Sequence, residues 1–214
     1  MPIREKIVKR MSRAGLNLPD DVIEGLYAYF ELLRKWNRKV SLTALPVEDG
    51  GEEAIDRLLI EPVLATKHLP RPNASMLDIG SGGGSPAIPM RLASPGTSLR
   101  MVESKTRKAA FLREAIRTLE LEHTAVDAVR FEELLARPSL HDAMDVVTSR
   151  AVRVDRKTLS ELQSFVKPGG LLFLFGTTSS SPTERVGPYF SRLSTHTLLS
   201  NWGSAVQIFQ KIPA

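Results

Sequence analysis

Cysteine is absent from this 214-residue chain. No disulfide framework, thiolate metal site or thiol nucleophile is available to it. The same absence removes any mark of an oxidising compartment, so a cytoplasmic protein is expected. Histidine is scarce: His68, His123, His141 and His196 include no two at helical ligand spacing, and no metal site is expected. No apolar run approaches the ~20 residues of a membrane span, so no membrane partner is expected. The stretch Met1 to Gly15 lacks the apolar core of a signal peptide, because Arg4, Lys6, Lys9, Arg10 and Arg13 interrupt Ile3, Ile7, Val8 and Met11. It reads as a basic amphipathic helix. There is no internal repeat and no long low-complexity tract.

A chain of this length buries roughly 70% of its unfolded surface and needs no staples. The net charge of +5 and pI near 9.6 fit either a polyanionic partner or a solvated basic surface. Two textures divide the chain. Residues 1–70 read as an N-terminal helical segment packed on the core. From Asp20 to Val40, Ile23, Leu26, Phe30, Leu33, Trp36 and Val40 fall on one helical face. A further helix is expected from Glu52 to His68, interrupted or re-aimed at Pro62. After the turn-rich Pro70 to Asn73, residues 71–214 alternate short apolar runs with helical patterns. Strands are expected at Ser75–Ile79, Ser98–Glu103, His123–Ala128, Met144–Ser149 and Leu171–Phe175. A closing antiparallel hairpin follows at Thr195–Ser200 and Ala205–Gln210. This pattern predicts an α/β fold with a doubly wound, mostly parallel sheet.

In such a sheet ligands bind beyond the strand C-termini. The first strand runs into Asp78-Ile79-Gly80-Ser81-Gly82-Gly83-Gly84-Ser85. Glycines at Gly80, Gly82 and Gly84 let the backbone turn sharply and approach a ligand. A dinucleotide loop, G-x-G-x-x-G, would need glycine at Ser85. The string here is acidic-apolar-G-x-G-x-G, the S-adenosylmethionine loop of the Rossmann-like class I methyltransferases. Asp78 either orders the turn or reaches the methionine amino group. Glu103 ends the second strand about 20 residues beyond the loop, where a carboxylate accepts bonds from both ribose hydroxyls of an adenosine. S-adenosylmethionine is therefore the expected cofactor.

Longer strings carry a family resemblance. Leu33 to Thr43 (LRKWNRKVSLT) is similar to L-x-K-W-N-x-x-x-N-L-T, and Asp78 to Pro89 is similar to D-I-G-S-G-x-G-F-P-G-I-P. Lys108 to Arg113, Arg130-Phe131-Glu132-Glu133, Val147-Thr148-Ser149-Arg150-Ala151 and Lys167-Pro168-Gly169-Gly170 match K-R-x-x-F-L-R, R-A-E-E, V-x-S-R-A and K-P-G-G. The chain thus resembles the RsmG (GidB) family, which methylates a guanine N7 in small-subunit ribosomal RNA. The resemblance implies that Gly80 and Ser85 line the cofactor loop, Glu103 holds the ribose, and Phe131 and Glu132 flank the adenine. Arg150 would face the reaction centre, touching the cofactor or orienting the guanine through O6 as a catalytic residue. The implied partner is small-subunit ribosomal RNA or the small ribosomal subunit. Arg57, Lys105, Arg107, Lys108 and Arg153 are the basic residues expected to hold its phosphates. A monomer is the default expectation.

Departures from the family pattern stand at Ser41 for Asn, Leu58 for His, Ser85 for Phe or Leu, and Phe175 for Lys. In the same string Arg57 to Pro62 stands where R-H-x-x-D-S is usual. These leave open a different RNA, protein or small-molecule substrate, or an RNA-binding module that has lost transfer.

Overall fold

The alternating texture after Pro70 becomes one mixed sheet. The computed structural model describes residues 1–150, 155–177, 185–186 and 188–212. Strands β1 (Ser75–Ile79), β2 (Ser98–Val102), β3 (Thr124–Asp127), β4 (Met144–Arg150), β5 (Val166–Thr177), β6 (Arg185–Val186), β7 (Phe190–Leu199) and β8 (Ser204–Lys211) lie in the order β3-β2-β1-β4-β5-β8-β7-β6. The first five are parallel, and β8 runs antiparallel between β5 and β7. This is the doubly wound, Rossmann-like α/β architecture with its closing hairpin. Helices α5 (Ala87–Ala93), α6 (Thr106–Thr118) and α7 (Arg156–Leu162) follow β1, β2 and β4.

Successive strand residues point to opposite faces, and both faces are buried. Met76, Met101, Val146, Phe173 and Ile208 join one apolar cluster, while their neighbours Leu77, Val102, Val147, Leu172 and Phe209 join the other. Two expected boundaries move. The strands expected at Leu171–Phe175 and Thr195–Ser200 start earlier, as β5 (Val166–Thr177) and β7 (Phe190–Leu199), and Lys167 to Gly170 lies inside β5. Pairing jumps from Met144↔Val166 to Val146↔Leu171, so these residues form a bulge. Gly169 takes φ +73 there, a conformation that suits glycine.

The N-terminal segment packs on the first face. Helices α1 (Ile3–Arg13) and α2 (Asp20–Asn37) are followed by α3 (Glu52–Ile55), a π-helical turn (Asp56–Ile60), α4 (Glu61–Ala65) and a 3-10 turn (Thr66–His68). Leu26, Tyr29, Phe30 and Leu33 of α2 are fully buried, each worth about 1.5–3 kcal/mol relative to exposure. They share one cluster with Ile88, Phe111 and Phe173 of the sheet region. Trp36 packs edge-on against Phe111, with ring centroids 5.8 Å apart. Helix α2 ends where Asn37 Oδ1 accepts the Leu42 and Thr43 N–H groups at 2.9 and 3.0 Å, which turns the chain. Pro62 does not break the second helical stretch. The turn before it widens instead, and Glu61 N–H donates to Asp56 O, five residues back.

Two buried carboxylates pin the elements together. Asp56 accepts from both Arg10 of α1 and Trp202 Nε1 at the β7–β8 connection, the latter at 2.7 Å. Asp145 accepts from Ser75 N, Arg71 and Lys167 at 2.7, 2.6 and 2.9 Å. Burial alone would raise the Asp145 pKa. The Ser75 N–H and the two cations outweigh it and hold the carboxyl well below its usual range. Such a depressed group stabilises the fold above its unfolded pKa of about 3.9, and that contribution is lost as pH falls toward the native value. Asp145→Asn is therefore expected to lower the unfolding free energy by about 2 kcal/mol at neutral pH. In urea titrations the deficit should shrink below about pH 4; a deficit independent of pH would contradict this.

Candidate active site

Strand order reverses at β1, between β2 and β4, so the crevice beyond its C-terminal end is the ligand position. The glycine loop lies there. Gly80 and Ser81 donate their N–H groups to Val102 O at 2.9 and 3.0 Å, docking the loop on β2. Gly84 has φ +87, and a Cβ on it would stand 2.5 Å from the end of the Ile88 side chain, so another residue would be strained there and would have to displace Ile88. Gly82, at φ +52, would meet nothing closer than 3.8 Å and leaves its side of the loop open. Glu103, buried at the end of β2, accepts Gly82 N–H on Oε2 at 2.9 Å and Lys105 N–H on Oε1 at 2.8 Å. Each oxygen keeps a further lone pair for a hydroxyl donor.

Two cavities meet at Gly80 and Glu103. One of about 200 Å³ is lined by Gly80, Val102, Glu103, Val129, Phe131 and Glu132. The other, of about 750 Å³, is lined by Gly80 to Gly83, Ser85, Glu103, Arg150, Glu61 and Phe175, with Leu42 to Leu45 as a further wall. The small cavity offers an aromatic side chain and an acid for a flat base, the junction a carboxylate for a diol, and the large cavity a charged pair. That donor set fits S-adenosylmethionine: adenine, ribose and a zwitterionic methionine in line.

The charged pair owes its setting to Pro62. In an α-helix Leu58 O would accept from residue 62, which has no N–H. The Arg57 carbonyl is released as well, because Glu61 N–H has moved to Asp56 O. Ser85 Oγ donates to Leu58 O at 3.0 Å, and Arg150 Nη1 donates to Arg57 O. Arg150 Nη2 donates to Glu61 Oε2 at 2.9 Å, and its guanidinium lies 4.8 Å from the centre of the Phe175 ring. Burial lowers the Arg150 pKa, against the pull of Glu61 and Asp78. Burial raises that of Glu61, against the pull of Arg150.

Asp78 lies beneath the loop, off the cavity walls and only 1% exposed. Its Oδ1 accepts from Thr148 Oγ1 at 2.6 Å, while Oδ2 has no partner among the described residues. This setting suits ordering of the turn more than reaching an amino group. Burial pushes its pKa up to about 6, although the Thr148 hydrogen bond and the nearby Ser81 hydroxyl, which itself donates to Asp78 O at 3.1 Å, oppose this. Among the basic residues expected to hold RNA, Arg57, Lys105 and Lys108 line the large cavity. Arg57 is ion-paired with Glu53 at 2.9 Å, Arg107 is exposed on α6 away from both cavities, and Arg153 lies outside the described residues. Of the four departures, Leu58, Ser85 and Phe175 line the large cavity, whereas Ser41 is exposed outside it.

Two contributors escape the motif reading. Tyr29 of α2 donates to Gly83 O at 2.6 Å and clamps the loop from outside the sheet. Glu61 is the single charge in the apolar run Leu58 to Ala65. A lone acid in such a run needs a buried partner, and that was its available signal.

Comparison with known proteins adds a relation. Residues 22–184 match the family described as GidB, rRNA small subunit methyltransferase G. The chain is 30% identical over 188 residues to the ribosomal RNA small subunit methyltransferase G of Acetivibrio thermocellus, covering 86% of this chain and 75% of that protein. It is 37% identical over 166 residues to the protein of the same name in Dichelobacter nodosus, covering 76% and 70%. In fold it resembles the P. horikoshii TYW2 crystal structure in complex with MeSAdo, with a TM-score of 0.57, 12% identity and coverage of 73% of this chain and 64% of that one.

Asp78→Asn is expected to stabilise the ligand-free protein by about 1–3 kcal/mol at pH 7–8. A raised native pKa means that stability is full below the unfolded value and is lost as pH rises through about 6. The gain should therefore vanish near pH 4 in thermal melts, and a gain that persists there would contradict this origin. A second expectation concerns Leu58 O. Ser85→Ala should cost about 1 kcal/mol, and less in a Pro62→Ala background, where residue 62 regains an N–H. Additive costs in a double-mutant cycle would show the two sites uncoupled.

Proposed function

The chain belongs to the rRNA small subunit methyltransferase G family, and from that premise we propose that it methylates N7 of a guanine in 16S ribosomal RNA. S-adenosylmethionine, when bound, supplies a methyl group already activated by its sulfonium charge. The observation that carries the reading is the pair of cavities meeting at Gly80 and Glu103, one with an aromatic and an acidic wall, the other with a part-buried ion pair.

The residues then take these roles. Phe131 and Glu132 flank the adenine in the small cavity. Glu103 accepts the ribose hydroxyls with the lone pairs that Gly82 and Lys105 leave free. Gly80, Gly82, Gly84 and Ser85 give the loop its close approach, and Asp78 orders the turn from below. Arg150 works at the methionine end: its position between Ser85, Arg57 O and Glu61 supports that place over guanine O6. Guanine N7 has an exposed lone pair and no proton, so the protein needs no general base. Its task is to hold the reacting groups in line and keep water out. Lys105, Lys108 and Arg57 at the large cavity hold RNA phosphates, which predicts a steep loss of RNA affinity with salt. An unpaired or splayed nucleotide reaches the crevice.

The test is incubation of the protein, labelled S-adenosylmethionine and small ribosomal subunits lacking the modification, followed by nucleoside mass spectrometry. Labelled 7-methylguanosine at one site is expected. Label in another nucleoside, or none despite cofactor binding, would overturn the reading. Arg150→Ala should lower kcat/KM by about a hundredfold or more, because misplacement of about 1 Å is enough for that loss. Arg150→Lys should not restore it, since an ammonium lacks the planar fork. Wild-type turnover in either variant would remove Arg150 from the site.

A further inference from the structure

We infer that Glu61, on helix α4 of the N-terminal segment, is the acceptor for the α-ammonium of the methyl donor, so that the Glu61–Arg150 pair reads its zwitterionic end as a unit. The inference rests on the cofactor assignment above and adds a residue to it.

Three observations lead there. First, the two cavities share Gly80 and Glu103. An adenosine held with its base in the small cavity and its ribose at Glu103 must send its amino-acid end into the large one. Second, the large cavity places an acid and a base side by side, Glu61 Oε2 and Arg150 Nη2 being 2.9 Å apart. An α-amino acid carries one positive and one negative group on a single carbon, and a fixed carboxylate–guanidinium pair presents the complement of both. Arg150 supplies unused donors to the carboxylate, since a guanidinium has five N–H groups.

Third, among the described acidic side chains that line the large cavity, Glu61 has an oxygen that lacks a donor. Asp78 is sealed under the loop by Thr148 and lies off the cavity walls. Glu103 already holds the Gly82 and Lys105 N–H groups, and the lone pairs it has left face the ribose position. Glu61 is 4% exposed and among the residues that line the cavity, and its buried Oε1 accepts no hydrogen bond from any described residue. The Ser204 hydroxyl lies near enough to favour the charged carboxylate, but it donates to Leu199 O at 3.3 Å. A buried carboxylate oxygen without a donor is costly, and an ammonium in the cavity relieves it with a charge-assisted hydrogen bond.

Calorimetry with a truncated ligand series tests this without relying on turnover. S-adenosylhomocysteine keeps the zwitterion, 5′-methylthioadenosine lacks the whole amino-acid end, and the deaminated analogue of S-adenosylhomocysteine keeps only the carboxylate. For the wild-type protein the deaminated analogue should bind about ten- to a hundredfold more weakly than S-adenosylhomocysteine. Glu61→Gln should weaken S-adenosylhomocysteine by a similar factor, leave 5′-methylthioadenosine unchanged and abolish the penalty for deamination. The wild-type arm stands alone if the variant does not fold. Equal affinity of wild type for the two analogues, or equal weakening of all three ligands by Glu61→Gln, overturns the inference while the cofactor assignment survives. So does a rise in the KM for RNA with cofactor affinity unchanged, which would make Glu61 a reader of the base. Failure of wild type to bind any of the three overturns the cofactor assignment and the inference with it.

Discussion

A proline inside a helix removes one donor and leaves the carbonyl four residues earlier without its partner. Here that loss at Pro62, together with the π-helical turn before it, releases two carbonyls, Arg57 and Leu58. Arg150 from β4 takes one and Ser85 from the glycine loop takes the other. A helical segment that precedes the sheet is thereby fastened to both strand ends that form the crevice. Tyr29 adds a third tie, to Gly83. The N-terminal helices are thus a wall of the site as well as packing for one face of the sheet.

The same arrangement concentrates buried charge. Arg150, Glu61 and Asp78 lie within one region, and burial works against the charged form of each. Removing a charge from water is unfavourable unless partners restore what hydration supplied, and the unpartnered Glu61 Oε1 and Asp78 Oδ2 show the restoration to be incomplete. Leu58 and Phe175 stand where the family pattern has histidine and lysine. In this chain the Phe175 ring supports the guanidinium face of Arg150. Ser85 and Pro62, also departures, answer one another: the proline leaves Leu58 O free and the serine hydroxyl fills the gap. These changes alter how the site is held together while the glycine loop and Glu103 remain.

Much of the fold was legible because it rests on local rules. The five parallel strands, the hairpin and the α2 stripe follow from apolar periodicity, and the sharp turn after β1 from its run of glycines. The meeting of the glycine loop with Glu103 was legible too, since the two sit at fixed spacing along neighbouring strands. The bulge at Lys167 to Gly170 was not, because pairing with β4 continues past Pro168 and Gly169 and overrides their turn preference. Nor was Glu61: its partner is 89 positions away, and spacing along a chain does not reveal which distant cation meets a lone acid.

What the amino-acid sequence determined by itself is the class of fold, the glycine loop that ends β1 and the absence of thiol chemistry. Each is set by residue type and short-range spacing, which backbone sterics translate directly into structure. Only the tertiary structure decided that Asp78 lies under the loop, that Glu61 and Arg150 face one another in the crevice, and that the helix carrying Pro62 lends its carbonyls to the site. Those outcomes depend on which surfaces pack together and on how buried polar groups find partners. Both are properties of the folded whole, since a carboxylate, a guanidinium or a carbonyl gains or loses its value only where water has been excluded.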